Sequence, residues 1–132
     1  MAINLDTMFG VHPDALVLRA KRAEVIASNI ANADTPGYKA QGMDFQKALA
    51  QATKKQSMSM TQTNEKHIDS RMALNDGLEY RIPNQPDTGD GNTVDIQVER
   101  NLYLENSLEY QASLQFLNGR IKGLRKAITG GQ

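Results

Sequence analysis

Two stretches of the chain repeat apolar residues with a helical period, and the stretch between them does not. Toward the C-terminus, Tyr103, Tyr110, Leu117 and Leu124 recur every seven residues, and Ser107, Leu114, Ile121 and Ile128 fill the positions four later. Apolar residues at this spacing line one side of a helix and make a coiled-coil seam. Leu104, Leu108 and Phe116 lie off the seam and widen the stripe, so this helix has more than one side to bury. Asn92 and Thr93 offer N-caps, with Asp95 in or near the first turn. Arg120, Lys122, Arg125 and Lys126 complement the negative pole at the other end, and Gly130 and Gly131 follow as a stop. The pattern predicts a helix over residues 95–128. At ~1.5 Å per residue it is about 50 Å long, which suits a rod or bundle better than a small globule.

A second helical pattern covers residues 14–33. Leu16, Ala20, Ala23, Ala27 and Ile30 step by four and three, while Arg19, Lys21, Arg22 and Glu24 sit off that seam. Pro13 suits a first turn and Asp14 complements the positive end of the helix. Residues 1–12 carry Leu5, Met8 and Phe9 at near-helical spacing, as a short helix or a segment that orders on binding. The predicted fold is mainly α, with the N- and C-terminal helices paired as an antiparallel coiled coil. Both seams have a 3.5-residue period, which predicts a left-handed supercoil. The shorter helix cannot cover the whole C-terminal seam. The remainder, with the second stripe of Leu104, Leu108 and Phe116, calls for other subunits.

The middle, residues 40–93, reads differently. Helix can continue over Ala48 to Lys55, but Gln56 to Asn64 is a Ser/Met/Thr/Gln run without strong periodicity. Leu78, Tyr80 and Ile82 alternate with Glu79 and Arg81, a short strand signal. Asn84 to Asn92 is dense in turn formers. Three parts follow: 1–39 with the N-terminal helix, 40–93 as extended chain, loops and short strands, and 94–132 with the long helix. The first and third form one stem domain.

Composition narrows the function. The 132 residues suffice for one domain, and 15 basic residues cancel 15 acidic ones, which removes the case for nucleic acid or an anionic membrane as main partner. Hydrophobic content of 39% without Trp is lean, as for an elongated shape or a core completed by neighbours. The absence of Cys excludes disulfides, zinc–thiolate sites and thiol catalysis. The N-terminus has no basic segment followed by an apolar run, so a cleaved secretory signal is not expected. No window approaches the ~18 apolar residues of a membrane span.

Candidate chemistry is sparse. His12 and His67 have no second His at ligand spacing. Asp87 to Asp95 superficially suggests calcium, but either starting frame leaves Gly or Val at ligand positions and lacks the closing Glu. No phosphate-binding glycine loop or nucleophile elbow is present. Asp69, Asp76 and Asp87 could supply paired carboxylates, but nothing fixes their separation. The basic cluster at the C-terminal end lacks interleaved aromatics and reads as a solvated face. No catalytic, cofactor or metal residues are expected, nor a small-molecule substrate.

One string is far more specific. Residues 29–39 read Asn-Ile-Ala-Asn-Ala-Asp-Thr-Pro-Gly-Tyr-Lys. Asn32 and Asp34 are poor inside a helix and good at its end. Pro36 moves Thr35 away from helical angles, and Pro-Gly fits the centre of a type II turn. With its preceding helix, the string Ala31, Asn32, Ala33, Asp34, Thr35, Pro36, Gly37, Tyr38 resembles the mark of bacterial flagellar axial proteins. The short chain points within that superfamily to the basal-body rod proteins of the FlgB (proximal rod) type. So do Asp-Gly-Asn-Thr-Val-Asp before the last helix and the segment Asn106 to Gln115. The resemblance covers both ends well and the middle weakly.

The resemblance implies a structural subunit at the base of the rod, in the periplasm, joining the membrane ring and export gate to the drive-shaft and transmitting torque. It implies export by the flagellar type III apparatus without signal cleavage. The neighbours it implies are copies of itself, other rod proteins, the adaptor FliE and the ring protein FliF. Asn29, Asn32, Thr35, Pro36, Gly37 and Tyr38 then form the bend from the first helix into the middle. The sibling FlgC type, and in a different class a coiled-coil adaptor or export chaperone, stand as alternatives. A wall hydrolase is disfavoured by the missing acid/base pair. Isolated protein is expected to be monomeric with ends that order on docking.

Overall fold

A computed structural model describes residues 8–57, 77–83 and 89–130. In chain order these form helix α1 (His12–Ala31), strand β1 (Gln41–Met43), helix α2 (Phe45–Ser57), strand β2 (Leu78–Tyr80) and helix α3 (Ile96–Ile128). Pro13 sits in the first turn of α1, where its missing N–H costs nothing, and Asp14 lies beside it. Asn32 ends α1, its backbone N–H turning back to the Ser28 and Asn29 carbonyls.

Asp95 is the N-cap of α3. Its carboxylate accepts the N–H of Gln97 at 2.9 Å and of Val98 at 3.3 Å. Asn92 and Thr93, the expected caps, are engaged elsewhere. The helix then runs 33 residues to Ile128, and Gly130 follows with φ +80°.

In the middle, the strand signal is realised as β2 over Leu78–Tyr80, with all three residues exposed and Ile82 beyond its end. This strand pairs antiparallel with β1 in the register Gln41 to Tyr80, Gly42 to Glu79 and Met43 to Leu78. The helix expected over Ala48 to Lys55 begins earlier, at Phe45, because Asp44 caps it by accepting the Lys47 N–H at 3.1 Å. Leu5, residues 58–64 of the Ser/Met/Thr/Gln run, His67, Asp69, Asp76, the turn residues 84–88 and Gly131 lie outside the described residues.

The two long helices pack antiparallel. His12 lies near Phe116, Arg19 bonds Glu109 and Ser113, and Asn32 bonds Asn92, so the partner's number falls as α1 advances. The face on which they meet differs from the expected seams. On α1 it holds Ala15, Arg19, Arg22, Ile26 and Asn29 with Leu18 beside them. On α3 it holds Leu102, Asn106, Glu109 and Ser113, preceded by Glu99. Each lies one residue before the seam residue predicted there, a rotation of about 100°. Of the N-terminal seam, Ala20 and Ala27 are exposed, and Leu16, Ala23 and Ile30 are half-buried. Of the C-terminal seam, Tyr103, Tyr110, Leu114, Ile121 and Ile128 are exposed, and Leu117 and Leu124 are half-buried.

The physical reason is that polar groups hold the interior. An apolar period cannot reveal a face that meets its partner through ion pairs and hydrogen bonds. Arg19 bonds Glu109 and donates through Nε to Ser113 Oγ at 3.1 Å. Its guanidinium also lies over the Phe45 ring, 4.3 Å from the centroid. Asn106 donates to the Arg19 carbonyl at 3.0 Å. The buried apolar residues are few and mostly small: Ala15, Leu18, Ile26, Ala40, Ala48 and Val94.

Candidate functional site

The corner that follows α1 is built from its own string and from the loop that leads into α3. Thr35 to Tyr38 form a tight turn, with the Tyr38 N–H donating to the Thr35 carbonyl at 3.2 Å and Gly37 at φ +74°. That positive φ is what a type II turn asks of its third residue, and glycine meets it without strain. Inside the turn, Asn32 donates to the Ser28 carbonyl at 2.8 Å, and the Thr35 hydroxyl donates to Asn32 Oδ1 at 3.3 Å.

Asn92 fastens this corner from the other end of the chain. Its side-chain amide donates to the carbonyls of Asn32, Ala33 and Thr35 at 3.0, 2.7 and 2.9 Å. Those carbonyls lie at and just beyond the end of α1, where no further turn of helix supplies donors. The Asn92 carbonyl oxygen of the same amide accepts the Val94 N–H at 2.8 Å. Around it the two segments are laced through backbone. Gly37 N–H donates to the Asp90 carbonyl at 2.9 Å, and Thr93 N–H to the Tyr38 carbonyl at 3.0 Å. Ala40 N–H donates to Thr93 Oγ1 at 2.8 Å, and Lys39 Nζ to the Gly91 carbonyl at 2.7 Å. The approach is close: a Cβ on Gly91, itself at φ +73°, would stand 3.7 Å from Gly37 Cα.

Asn29 and Tyr38 carry the corner into the sheet. Asn29 is completely buried and pairs with the backbone of Gln41. Tyr38 places its hydroxyl 3.4 Å from Asn29 Oδ1 and 3.3 Å from Ser28 Oγ, so the ring lies against its own α1. Arg81, just past β2, completes the connection. Its Nη2 donates to the Gln41 carbonyl at 3.2 Å and to both Glu99 oxygens, at 3.0 and 2.9 Å. Glu99 is 1% exposed, so the salt bridge ties the sheet into the base of α3. The hairpin is further tied to α2 by Lys47, which reaches Glu79 at 3.1 Å and Asp44 at 3.3 Å. The Lys47 N–H donated to Asp44 holds that carboxyl below its ordinary range, and Glu79 with Asp44 raises Lys47.

These contacts shape the backbone at the corner. Among the described residues no three His, Cys, Asp or Glu side chains cluster to hold a metal, and no helix is long and apolar enough to cross a membrane. His12 lies beside the Phe116 ring, centroids 6.4 Å apart. The structure brings the string residues Asn32, Thr35, Gly37 and Tyr38 together with Asn29, and leaves Ala31 and Pro36 exposed on the outside of the corner. Leu104, Leu108 and Phe116 are exposed, the two leucines on the side of α3 away from α1 and Phe116 beside His12. The sequence reading missed the roles of Asn92, Arg81 and Glu99. Asn92 resembles an N-cap by position, and a salt bridge 18 residues apart leaves no periodic signal.

Residues 11–39 match the family described as "Flagella basal body rod protein". The chain is 54% identical to the flagellar basal body rod protein FlgB of Aeromonas hydrophila over 100% of both chains. It is 42% identical to the protein of that name from Escherichia coli strain K12, over 99% of each. The counterpart in Salmonella typhimurium is 38% identical over 99% of each.

Proposed function

The chain belongs to the flagellar basal body rod proteins of FlgB type, and on that premise we propose that it is a structural subunit of the proximal rod. It is no enzyme; its work is to hold a place in a helical assembly, with other copies and other rod proteins as neighbours. The observation that carries this reading is the outward seam of α3. Tyr103, Tyr110, Leu114, Ile121 and Ile128 keep a heptad-like spacing, yet the chain's own α1 leaves them exposed. Apolar residues at coiled-coil spacing are stable only when another helix covers them. Contacts between unlike faces of identical or related subunits extend into helical arrays when they do not close.

In this reading the corner from Asn29 to Tyr38, held by Asn92, fixes the angle at which the middle segment leaves the stem. The rod crosses the periplasm, FliE and FliF lie at its membrane end, and the subunit reaches its place through the type III export apparatus without signal cleavage. Full-length FlgB relatives leave the FlgC alternative without support. The test is complementation of a strain lacking this protein with a tagged copy. Recovered swimming and tag retained in salt-washed basal bodies are expected. A tag found only in a soluble cytosolic complex would sink the reading in favour of an adaptor or chaperone.

A further inference from the structure

Between the sheet and the two long helices lies an open groove of about 440 Å³. Its apolar lining comes from Val25, Ile26, Met43, Tyr80, Ile82 and Leu102. Tyr80 and Ile82 stand on its margin as two of the most exposed large apolar residues described. Its charged lining is already spent within the chain. Arg22 faces Glu109 at 3.7 Å, Asp44 and Glu79 share Lys47, and Arg81 holds Glu99. A groove with exposed apolar margins and self-paired charges suits an uncharged apolar occupant, since a charged one would be desolvated there without a partner.

The chain displays such a surface on its other side. Leu104 and Leu108 each lie two residues beyond a residue of the α1-facing side, Leu102 and Asn106, so they point about 200° away from it. They are 62% and 68% exposed. Asn101, Gln111, Ala112 and Gln115 beside them carry no charge, and the exposed Arg100 and Glu105 flank the pair on opposite sides, at its rim. Two leucines at i and i+4, with charges only at the rim, are the anchors of helix-in-groove recognition. One chain cannot satisfy itself, because its own leucines face away from the helix that borders the groove.

We propose that Leu104 and Leu108 of one copy seat in the groove between the sheet and α1 of a second copy. The contact rests on the rod reading and specifies one of its interfaces. It joins two different surfaces, so it repeats from subunit to subunit rather than closing as a dimer.

The chain has no cysteine, which makes the contact directly readable. Tyr80→Cys and Leu108→Cys, carried on two differently tagged copies, are co-expressed in a motile strain, oxidised in the cells and recovered with basal bodies. Both positions are exposed, so neither cysteine disturbs the fold. The expected result is a disulfide-linked species carrying both tags, lost when Leu104→Asp is added to the Leu108→Cys chain. Both tags present in basal bodies without that species, or with same-tag dimers alone, would overturn the contact and leave the rod reading intact. That result would hand the groove to another rod component or to strand addition on β2. Neither tag in basal bodies would overturn both.

Discussion

Asn29 holds Gln41 by both of its backbone polar groups: Nδ2 donates to the Gln41 carbonyl at 2.7 Å, and Oδ1 accepts the Gln41 N–H at 3.0 Å. The side chain thereby acts as a neighbouring strand for β1, and it does so completely buried. Replacement by Asp keeps the acceptor, loses the donor and sets a buried carboxylate oxygen against the Gln41 carbonyl oxygen. Asn29→Asp is expected to destabilise the fold by about 2–4 kcal/mol and Asn29→Ala by about 1–3 kcal/mol. Urea unfolding followed by circular dichroism measures both, and equal midpoints for wild type and Asn29→Asp would remove the strand-mimic role.

Gly37 separates backbone strain from crowding. A Cβ there meets nothing within 4 Å, but φ is +74°. Gly37→Val is therefore expected to cost about 1–3 kcal/mol through strain alone, while Gly37→Asn, which tolerates left-handed angles, costs clearly less. Swimming should fail with Val and persist with Asn. Equal loss from both substitutions would mean that the position is crowded in the assembly instead.

Glu99 depends on Arg81. Removing the guanidinium leaves a carboxylate that is 1% exposed without the cation that pairs with it. Arg81→Ala is expected to cost about 3–5 kcal/mol, and pairing it with Glu99→Leu should recover a large part of that loss. A double-mutant cycle by thermal unfolding gives the coupling, and strict additivity would contradict it.

The start of α2 responds to pH in two windows. The Lys47 N–H holds the Asp44 carboxyl below its ordinary range. Its contribution is full above the unfolded-state pKa and disappears as pH falls through the folded one. Lys47 is raised, first by Glu79 and then by Asp44. Its contribution is full below the unfolded-state pKa and disappears as pH rises through the folded one. Amide protection in the first turn of α2, taken against the intrinsic exchange rate at each pH, should therefore fall at acid pH and again at strongly alkaline pH. Asp44→Asn should abolish the acid limb.

The outward seam is separable from the fold. Leu114 is exposed, so Leu114→Asp should change monomer stability by no more than about 0.5 kcal/mol. Swimming should nevertheless be lost. The buried Ile26 gives the contrast: Ile26→Asp should unfold the monomer itself. A Leu114→Asp strain that swims normally would remove this face from the assembly.

The corner shows how far local sequence reaches. Pro36-Gly37 after Asn32 reads as a turn, and the turn is there, because φ preferences and missing donors act within a few residues. What holds the turn is Asn92, about 60 residues away. Any side-chain amide near the start of a helix reads as a cap, and only the path of the chain decides that this one reaches backward instead. Arg81 and Glu99 were illegible for the same reason.

By itself the sequence determined the helical stem, the length and end signals of α3, the short strand at Leu78 to Tyr80 and the family string. All of these follow from periodicity and backbone preference along the chain. Only the tertiary structure decided which side of each helix turns inward. The apolar period marks residues suited to being covered, without saying by what. Within one chain, Arg19 pairs with Glu109 and Ser113 across the helix pair, and Asn106 donates to the Arg19 carbonyl while its Oδ1 stays buried without a partner. The apolar seam is thereby rotated outward by one residue, onto the surface proposed to meet neighbouring subunits.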